Sequence, residues 1–393
     1  MIIEHVHLLP ITGQEIADGY LCVQDGRITE VGAMPAPACD GERIDGQGAL
    51  LLPGFVDGHS HLGMWEDSLG FEGDDGNEET DPITPQLRAI DAVNPNDPCF
   101  AEALQAGVTA VVTGPGSANP IGGQMIAMST YGTCVDDMVL CAPVAMKMAL
   151  GENPKSAYHS RNQAPMTRMG TAALIRDALM QAKRYAEDLE KSEQDEDTDP
   201  PEYDAKNEAL LPVIRGQLAV HFHAHRLDDI YTAVRLAKEF SLRFVIVHAT
   251  GAHQAAERLA SEGVPMLCGP LLTDRSKPEL SRQTPANPAT LSKAGAAVGI
   301  VCDHPVIPQQ YLNICAALAV REGRDRLQAL RAVTVDAARI CGIDDQVGSI
   351  EVGKRADLVL WKDDPLSVFA KPAWVMVGGK MAYRDTAFDK PSF

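Results

Sequence analysis

The chain of 393 residues has no long apolar run and comparatively few basic residues. No stretch approaches the roughly 18 to 20 consecutive apolar residues of a membrane-spanning helix, so the sequence predicts no membrane span. Its 34 lysines and arginines are outnumbered by 54 aspartates and glutamates, which gives a net charge of -20. Because a field of that sign repels phosphate groups, we expect neither a nucleic-acid partner nor an anionic membrane surface as a partner.

The nine cysteines are odd in number, scattered, and contain no CxxC pair. Most lie inside apolar runs, which is typical of buried thiols in a reducing compartment rather than of a disulfide framework. The N-terminal segment MIIEHVHLLPITGQE lacks both the basic region and the long apolar region of a signal peptide. We therefore expect a cytoplasmic protein.

The two ends of the chain alternate short β-rich runs with turn residues. Residues 19–32 and 348–363 each alternate around a glycine-containing turn, as β-hairpins do. Neither end is long enough to bury a core alone. We therefore predict one small β-sandwich domain that joins residues 1–52 to residues 347–393.

The middle of the chain, residues 53–346, alternates apolar strand-like runs with amphipathic helical stretches. Eight buried strands alternating with helices predict an α/β fold in which a parallel sheet closes into a (β/α)8 barrel. An open doubly wound sheet is the alternative, but no GxGxxG or GxxxxGK[ST] motif follows an early strand. The predicted strands are 51–58, 108–113, 124–129, 141–148, 217–223, 243–248, 264–269 and 297–303.

Metal-ligating residue types fall where these strands end. His59 and His61 lie two residues apart at the end of the first strand, so both imidazoles point to one side and can bind one cation. An HxH pair alone is a weak signal, but the active sites of such barrels are built at the carboxyl ends of the strands. Lys147 lies on the fourth strand, and His223, His248 and Asp303 end the fifth, sixth and eighth.

This donor set suits a divalent metal, zinc first, with iron, manganese or cobalt also compatible. The sequence leaves open whether one ion or two are bound. It also leaves homo-oligomerisation open. The expected partner is a small-molecule substrate that binds at the mouth of the barrel.

The segments that carry this pattern resemble the metal-dependent amidohydrolase superfamily. LLPGFVDGHSHL (51–62) is similar to its first-strand motif, and VGSIEVGKRADLVLWKDDPL (347–366) resembles its closing segment. MKMALGENPK (146–155) and HAHRLDDI (223–230) further resemble the imidazolonepropionase-related branch. The resemblance covers essentially the whole chain and implies a (β/α)8 barrel with a small β-sandwich made from both termini.

The resemblance also implies roles for individual residues. His59 and His61 would bind the more buried metal, and His223 and His248 a second one. Asp303 would contact the first metal and act as proton shuttle.

The bridging ligand has two candidates. In many relatives a carboxylated lysine on the fourth strand spans two ions, and Lys147 matches its position. Desolvation in an apolar strand favours the neutral amine that carboxylation requires, because it lowers the lysine pKa. Glu152 is the alternative oxygen donor, since some branches use a glutamate there.

Strand alternation alone cannot choose among His221, His223 and His225, because all three face the same side. The resemblance favours His223 as the ligand, and His225 could then face the substrate. Three further residues are candidates for substrate binding, namely Arg226, His159 and Arg161, since an arginine can pair bidentately with a carboxylate.

These residues predict a hydrolase. A divalent metal lowers the pKa of bound water from about 15.7 to about 7, which supplies hydroxide near neutrality. We expect attack on a carbonyl or amidine-like carbon, with a metal or His225 polarising the substrate oxygen and Asp303 carrying the proton to the leaving nitrogen. The expected substrate has a non-peptide C–N bond, as in a cyclic amide or an N-acyl amino acid. The alternatives are a dipeptidase or prolidase-like hydrolase, a heterocycle deaminase, and a catalytically inactive scaffold barrel.

Overall fold

The structure is a computed structural model, and it describes residues 1–38 and 41–386. Cys39 and the last seven residues of the predicted terminal domain, 387–393, lie outside the described residues. The strands are β1 (Ile2–Leu8), β2 (Ile16–Gln24), β3 (Arg27–Ala33), β4 (Arg43–Asp45), β5 (Leu50–Pro53), β6 (Phe55–Ser60), β7 (Val108–Thr113), β8 (Ile121–Ser129), β9 (Val139–Ala149), β10 (Ala219–Ala224), β11 (Phe244–His248), β12 (Met266–Cys268), β13 (Val298–Ile300), β14 (Leu358–Trp361), β15 (Pro372–Val377) and β16 (Lys380–Arg384).

Helices fill most of the connections between the strands of the middle region. They are α1 (Pro98–Gln105), α2 (Val135–Met138), α3 (Glu152–His159), α4 (Arg168–Gln194), α5 (Ala205–Ile214), α6 (Leu227–Glu239), α7 (Ala256–Ser261), α8 (Asn287–Lys293), α9 (Leu312–Arg321), α10 (Arg326–Ala332) and α11 (Val335–Cys341). Helix α6 shows why such segments are helical: Ile230, Ala233, Val234 and Ala237 are buried at a spacing of three and four residues, which forms one apolar face. Among the helices of the described residues, none is both long and apolar enough to cross a membrane.

The first and last parts of the chain share one eight-stranded sheet. Its order is β16-β15-β14-β5-β1-β2-β3, with β4 also beside β1. The two ends of the chain meet where Leu51 and Leu52 of β5 pair antiparallel with Leu360 and Val359 of β14. All four side chains are buried, so the contact adds apolar burial to the hydrogen-bonded ladder.

The second eight-stranded sheet contains β6 to β13, and their order in space is their order in the chain. It curls so that its outer edges approach each other, since the N–H of Cys302 beyond β13 donates to Asp57 Oδ2 of β6 at 3.0 Å. The result is a nearly closed barrel. Phe55 of β6 packs on Trp361 of the terminal sheet, with ring centroids 5.5 Å apart, which attaches the barrel to that sheet.

The prediction of eight parallel strands is wrong at β8. This strand runs antiparallel to both β7 and β9. Only residues 114–123 separate the predicted strands 108–113 and 124–129, and this is too short for the crossover of a dozen or more residues that parallel neighbours need. The chain therefore turns back directly, and the turn lies at the same end of the barrel as the predicted site residues.

Candidate active site

The first group of site residues comes from β6 and the segment after β13. His59 and His61 are almost fully buried, and the Nε2 atom of each lies 3.3 Å from Asp303 Oδ1. His61 Nδ1 donates to the carbonyl of Gly114 at 2.7 Å, so its Nε2 lone pair faces Asp303. These three residues form one cluster with the geometry of a metal site.

The second group consists of His223 and His225 from β10 and its end, with His248 from β11. The ring centroids lie 4.4 to 4.7 Å apart. His248 Nδ1 donates to the carbonyl of Gly269 at 2.9 Å, and His225 Nδ1 contacts Thr250 Oγ1 at 2.8 Å. Hydrogen bonds of this kind at one ring nitrogen orient the other toward a metal.

The position of His248 depends on an unusual backbone conformation. Strict alternation would place it on the side of Ile246, which shares a core cluster with Ile230 and Val234 of α6. His248 instead has a φ of 72°, in the left-handed region that residues with a Cβ rarely adopt. Asp303 also has a positive φ, of 59°. Such strain concentrates at functional sites, and here it accompanies two of the candidate ligands.

Burial determines the protonation state of histidines in both groups. It lowers the pKa of His59, His223 and His248 well below the usual value, so these rings are neutral at physiological pH. Burial and the charge of Lys147 together lower the pKa of His221 to about 3. Neutral imidazoles have the lone pair that metal binding requires.

The donors present fit a divalent cation. Within the described residues, both ring nitrogens of His223 and Oε1 of Glu279 are buried without a hydrogen-bond partner. An unsatisfied buried polar atom costs about 1 to 3 kcal/mol, and a bound cation would remove that cost here. Imidazole nitrogens with carboxylate oxygens are the donor set of zinc and related ions.

Lys147 lies on β9 beside the first group. Its side chain is fully buried, and Nζ lies 3.2 Å from His59 Nε2. Burial lowers the pKa of this amine to about 7. Its charge contributes to the lowered pKa of His59 in the first group and of His223 and His248 in the second, so Lys147 acts electrostatically on both groups.

Asp57 was not predicted as a site residue, yet it supports the first group. It accepts hydrogen bonds from the N–H of His59 at 3.1 Å, from the N–H of Cys302 at 3.0 Å and from Gln309 Nε2 at 2.6 Å. Burial raises its pKa to about 7. Asp57 therefore fixes the strand that bears His59 against the segment that bears Asp303. An acidic residue inside the apolar first-strand motif was the available sequence signal.

Both groups face a cavity of about 780 Å³. Five of the predicted residues line it, namely His61, His223, His225, His248 and Asp303. Of the described residues that line it, Lys277 is the one lysine or arginine, and sequence reasoning missed it. Lys277 Nζ donates to Asn153 Oδ1 at 2.9 Å, and Asn153 Nδ2 donates to Ser117 Oγ at 2.7 Å. Lys277 follows β12, so its place in a loop at the barrel mouth was the signal that could have found it.

Four predicted residues lie elsewhere. Glu152, His159 and Arg226 line a neighbouring cavity of about 420 Å³, and Arg226 forms an exposed ion pair with Asp228. Arg161 is exposed and pairs with Glu79. The substrate-binding roles of Arg226, His159 and Arg161, and the ligand role of Glu152, stay predictions.

A third cluster, Asp97, Cys99 and His304, also has the spacing of metal ligands. His304 Nδ1 accepts a hydrogen bond from the N–H of Gln309 at 3.2 Å. The proton of the neutral ring is therefore on Nε2, which leaves no lone pair there for a metal. We therefore describe this cluster, whose His304 directly follows Asp303 in the chain, as a group of polar residues and not as a metal site.

The sequence matches the model of the amidohydrolase family over residues 50–386. The chain belongs to the amidohydrolase family. This confirms the predicted family and, with it, a metal-dependent hydrolase that acts on C–N bonds. The residues of each of the two clusters could hold a metal ion.

Individual relatives extend this finding. The chain is 32% identical to amidohydrolase tasK of Hapsidospora irregularis over 93% of its own length, but it spans only 40% of that relative. It is 27% identical to the imidazolonepropionase of Aromatoleum aromaticum, covering 93% of this chain and 91% of that one. The crystal structure of an amidohydrolase from Thermotoga maritima MSB8 has a TM-score of 0.95 at 40% identity, with 98% and 100% of the two chains covered. The imidazolonepropionase matches support the predicted branch.

Proposed function

We propose that this amidohydrolase hydrolyses a non-peptide C–N bond in a small molecule that carries a carboxylate. The observation that supports this most is the pair of ligand clusters that share one cavity with Asp303 between them. Asp303 Oδ1 contacts the first cluster at 3.3 Å, and Oδ2 lies 3.9 Å from His248 Nδ1 of the second. One carboxylate thus reaches both halves of the site.

The proposed centre holds two divalent ions, with zinc as the first candidate. His59, His61 and Asp303 would hold one, and His223 and His248 the other. Lys147, in carboxylated form, would be their shared ligand. When bound, such ions would lower the pKa of water and polarise a carbonyl oxygen. His225 was predicted to polarise the substrate oxygen, and the stacking of its ring on that of His248 at 4.4 Å supports a further proposed role as an imidazole ligand of the second ion.

Asp303 is proposed to move the proton. Burial alone would raise the pKa of its carboxyl group, but the neighbouring imidazoles of His248, His59 and His61 hold that pKa well below the usual range. The carboxylate is therefore ionised at neutral pH, as a base must be. It takes a proton from the attacking water as the C–O bond forms, and it gives that proton to the nitrogen as the C–N bond breaks.

Lys277 is proposed to recognise the substrate carboxylate. Glu66, Asp67 and Glu79 also line the cavity, so its wall is otherwise acidic and repels an anion. A carboxylate therefore binds favourably only near Lys277 or near the metal centre. The imidazolonepropionase relatives are named for a substrate with a ring C–N bond and a propionate group, which has this combination.

The function is tested with a panel of substrates on metal-loaded protein. N-acyl amino acids and cyclic amides that carry a carboxylate are assayed beside dipeptides and aminoheterocycles, with detection of the released amine, acid or ammonia. We expect turnover of the first two classes. Preferred turnover of dipeptides would favour the prolidase-like alternative, and ammonia release from aminoheterocycles would favour a deaminase. No turnover with a fully loaded centre would contradict the proposal.

We predict that Lys277→Met raises KM about tenfold for a carboxylate-bearing substrate and leaves kcat within about twofold, because one charge-assisted hydrogen bond is lost in binding. Steady-state kinetics measure this. Lys277→Arg should recover most of the affinity. Lys155→Met is the matched control, since Lys155 lines the neighbouring cavity and not this one. If Lys155→Met raises KM and Lys277→Met does not, the carboxylate binds in the neighbouring cavity, beside the predicted residues Arg226 and His159.

We also propose a cytoplasmic location. Cys268, Cys302 and Cys341 are buried thiols, the usage expected of a reducing compartment. Fractionation with an antibody against the chain tests this, and recovery from the secreted fraction would contradict it.

A further inference from the structure

Glu279 lies at the second ligand cluster, although no sequence motif pointed to it. Its side chain is 1% exposed, and it belongs to a short 3-10 helix, Pro278–Leu280, in the loop after β12. Oε1 lies 3.9 Å from His223 Nε2 and 3.8 Å from His225 Nε2. These separations are too long for hydrogen bonds.

The atoms on either side of these separations lack hydrogen-bond partners. Within the part of the chain that the structure describes, Glu279 Oε1 and both nitrogens of His223 are buried without a hydrogen bond. Polar atoms that are buried together without hydrogen bonds are costly unless a cation joins them. Donor atoms on a zinc ion with bonds of about 2.0 to 2.2 Å lie about 3.4 Å apart in a tetrahedral arrangement, so the present spacing needs only a small contraction.

The other carboxylate oxygen is anchored, which fixes the direction of Oε1. Oε2 accepts a hydrogen bond from the N–H of Glu152 at 3.1 Å, at the first residue of α3. Gly151, with a φ of 89°, leaves room for this contact, since a Cβ would lie 2.9 Å from Oε2.

We propose that Glu279 is a carboxylate ligand of the second metal ion, in addition to the cluster of His223, His225 and His248. This inference rests on the proposed two-ion centre and adds to it a ligand from the loop after β12. It also reassigns the oxygen donor that the sequence suggested at Glu152: the Glu152 backbone holds the carboxylate of Glu279 in place. The second ion would then have a carboxylate oxygen of its own, independent of Lys147.

The test is the metal stoichiometry and affinity of Glu279→Gln beside the wild type, by elemental mass spectrometry and zinc titration against a chelator. In the variant the amide oxygen should accept from the Glu152 N–H, which turns the NH2 group toward the histidines. We expect about two ions in the wild type, and in the variant one tight ion and a second weakened about 100-fold or more. Glu66→Gln is the control, because Glu66 lines the cavity that both clusters face but belongs to neither cluster, and it should keep both ions.

The outcomes separate this inference from the proposed function. Two tight ions in Glu279→Gln overturn the role of Glu279 and leave the proposed centre intact. Fewer than two ions in the loaded wild type contradict the two-ion centre, and with it Glu279 as a ligand of a second ion. If the variant does not fold by near-ultraviolet circular dichroism, a crystal structure of zinc-loaded wild type decides. An ion within about 2.2 Å of Glu279 Oε1 supports the inference, and an ion at His223 without that contact overturns it.

Discussion

Asp303→Asn is expected to lower kcat about a thousand-fold, because the amide can neither accept the proton of the attacking water nor deliver it to the leaving nitrogen. Asn has nearly the same shape, so the contacts with His59 and His61 should largely persist. The measurement is kcat and kcat/KM on the substrate identified from the panel, with the metal content of each preparation determined in parallel. The pH profile should lose the limb that reports the ionisation of Asp303.

Metal content is the necessary control, since Asp303 also belongs to the first ligand cluster. Only variant protein that retains its ions tests the proton role. Asp274→Asn is the matched surface substitution, because Asp274 is exposed in the loop after β12, and its activity should stay within about twofold of the wild type. Full turnover by metal-loaded Asp303→Asn would contradict the assignment of the proton to this residue.

The strands of the barrel could be predicted because their apolar runs are buried on both faces. The strand predicted at 108–113 coincides with β7, and that at 243–248 differs from β11 by one residue. The direction of β8 was missed, because the sequence pattern of a buried strand does not differ between parallel and antiparallel strands. The length of the connection contains that information, because residues 114–123, which separate the two predicted strands, are too few for a crossover between parallel strands.

Motifs and strand ends were enough to predict which side chains of the barrel strands meet in space. His59, His61 and Asp303 meet as expected, because the carboxyl ends of β6 and β13 adjoin in the barrel. The loop position of Lys277 after β12 was the one sequence signal for it, whereas no motif pointed to Glu279, because the path of this loop depends on contacts distant in sequence. Glu152 shows the converse: its side chain was expected to supply an oxygen to the metal, but the contact that the structure shows is a hydrogen bond from its backbone N–H to Glu279 Oε2.

Carboxylation of Lys147 predicts a chemical signal that no other lysine in the chain should give. Its amine is fully buried, and burial lowers its pKa to about 7, so the neutral form that reacts with carbon dioxide is well populated near neutrality. The reaction joins the amine nitrogen to carbon dioxide and releases one proton. It replaces a cation 3.2 Å from His59 Nε2 with an anion that can share its oxygens between two metal ions.

We therefore expect Lys147→Ala to lose most of its bound metal and its kcat to fall at least about a thousand-fold. Lys155→Ala should keep its metal and its activity. Protein prepared with 13C-bicarbonate should show a carbamate carbon resonance that is absent from Lys147→Ala. The sign of the pH dependence follows from the lowered pKa. At a fixed concentration of carbon dioxide, recarboxylation of depleted apoprotein should speed up as the pH rises through about 7, because the fraction of neutral amine increases. One ion per chain that Lys147→Ala does not change, with no carbamate resonance, would contradict the bridging role and indicate a mononuclear site.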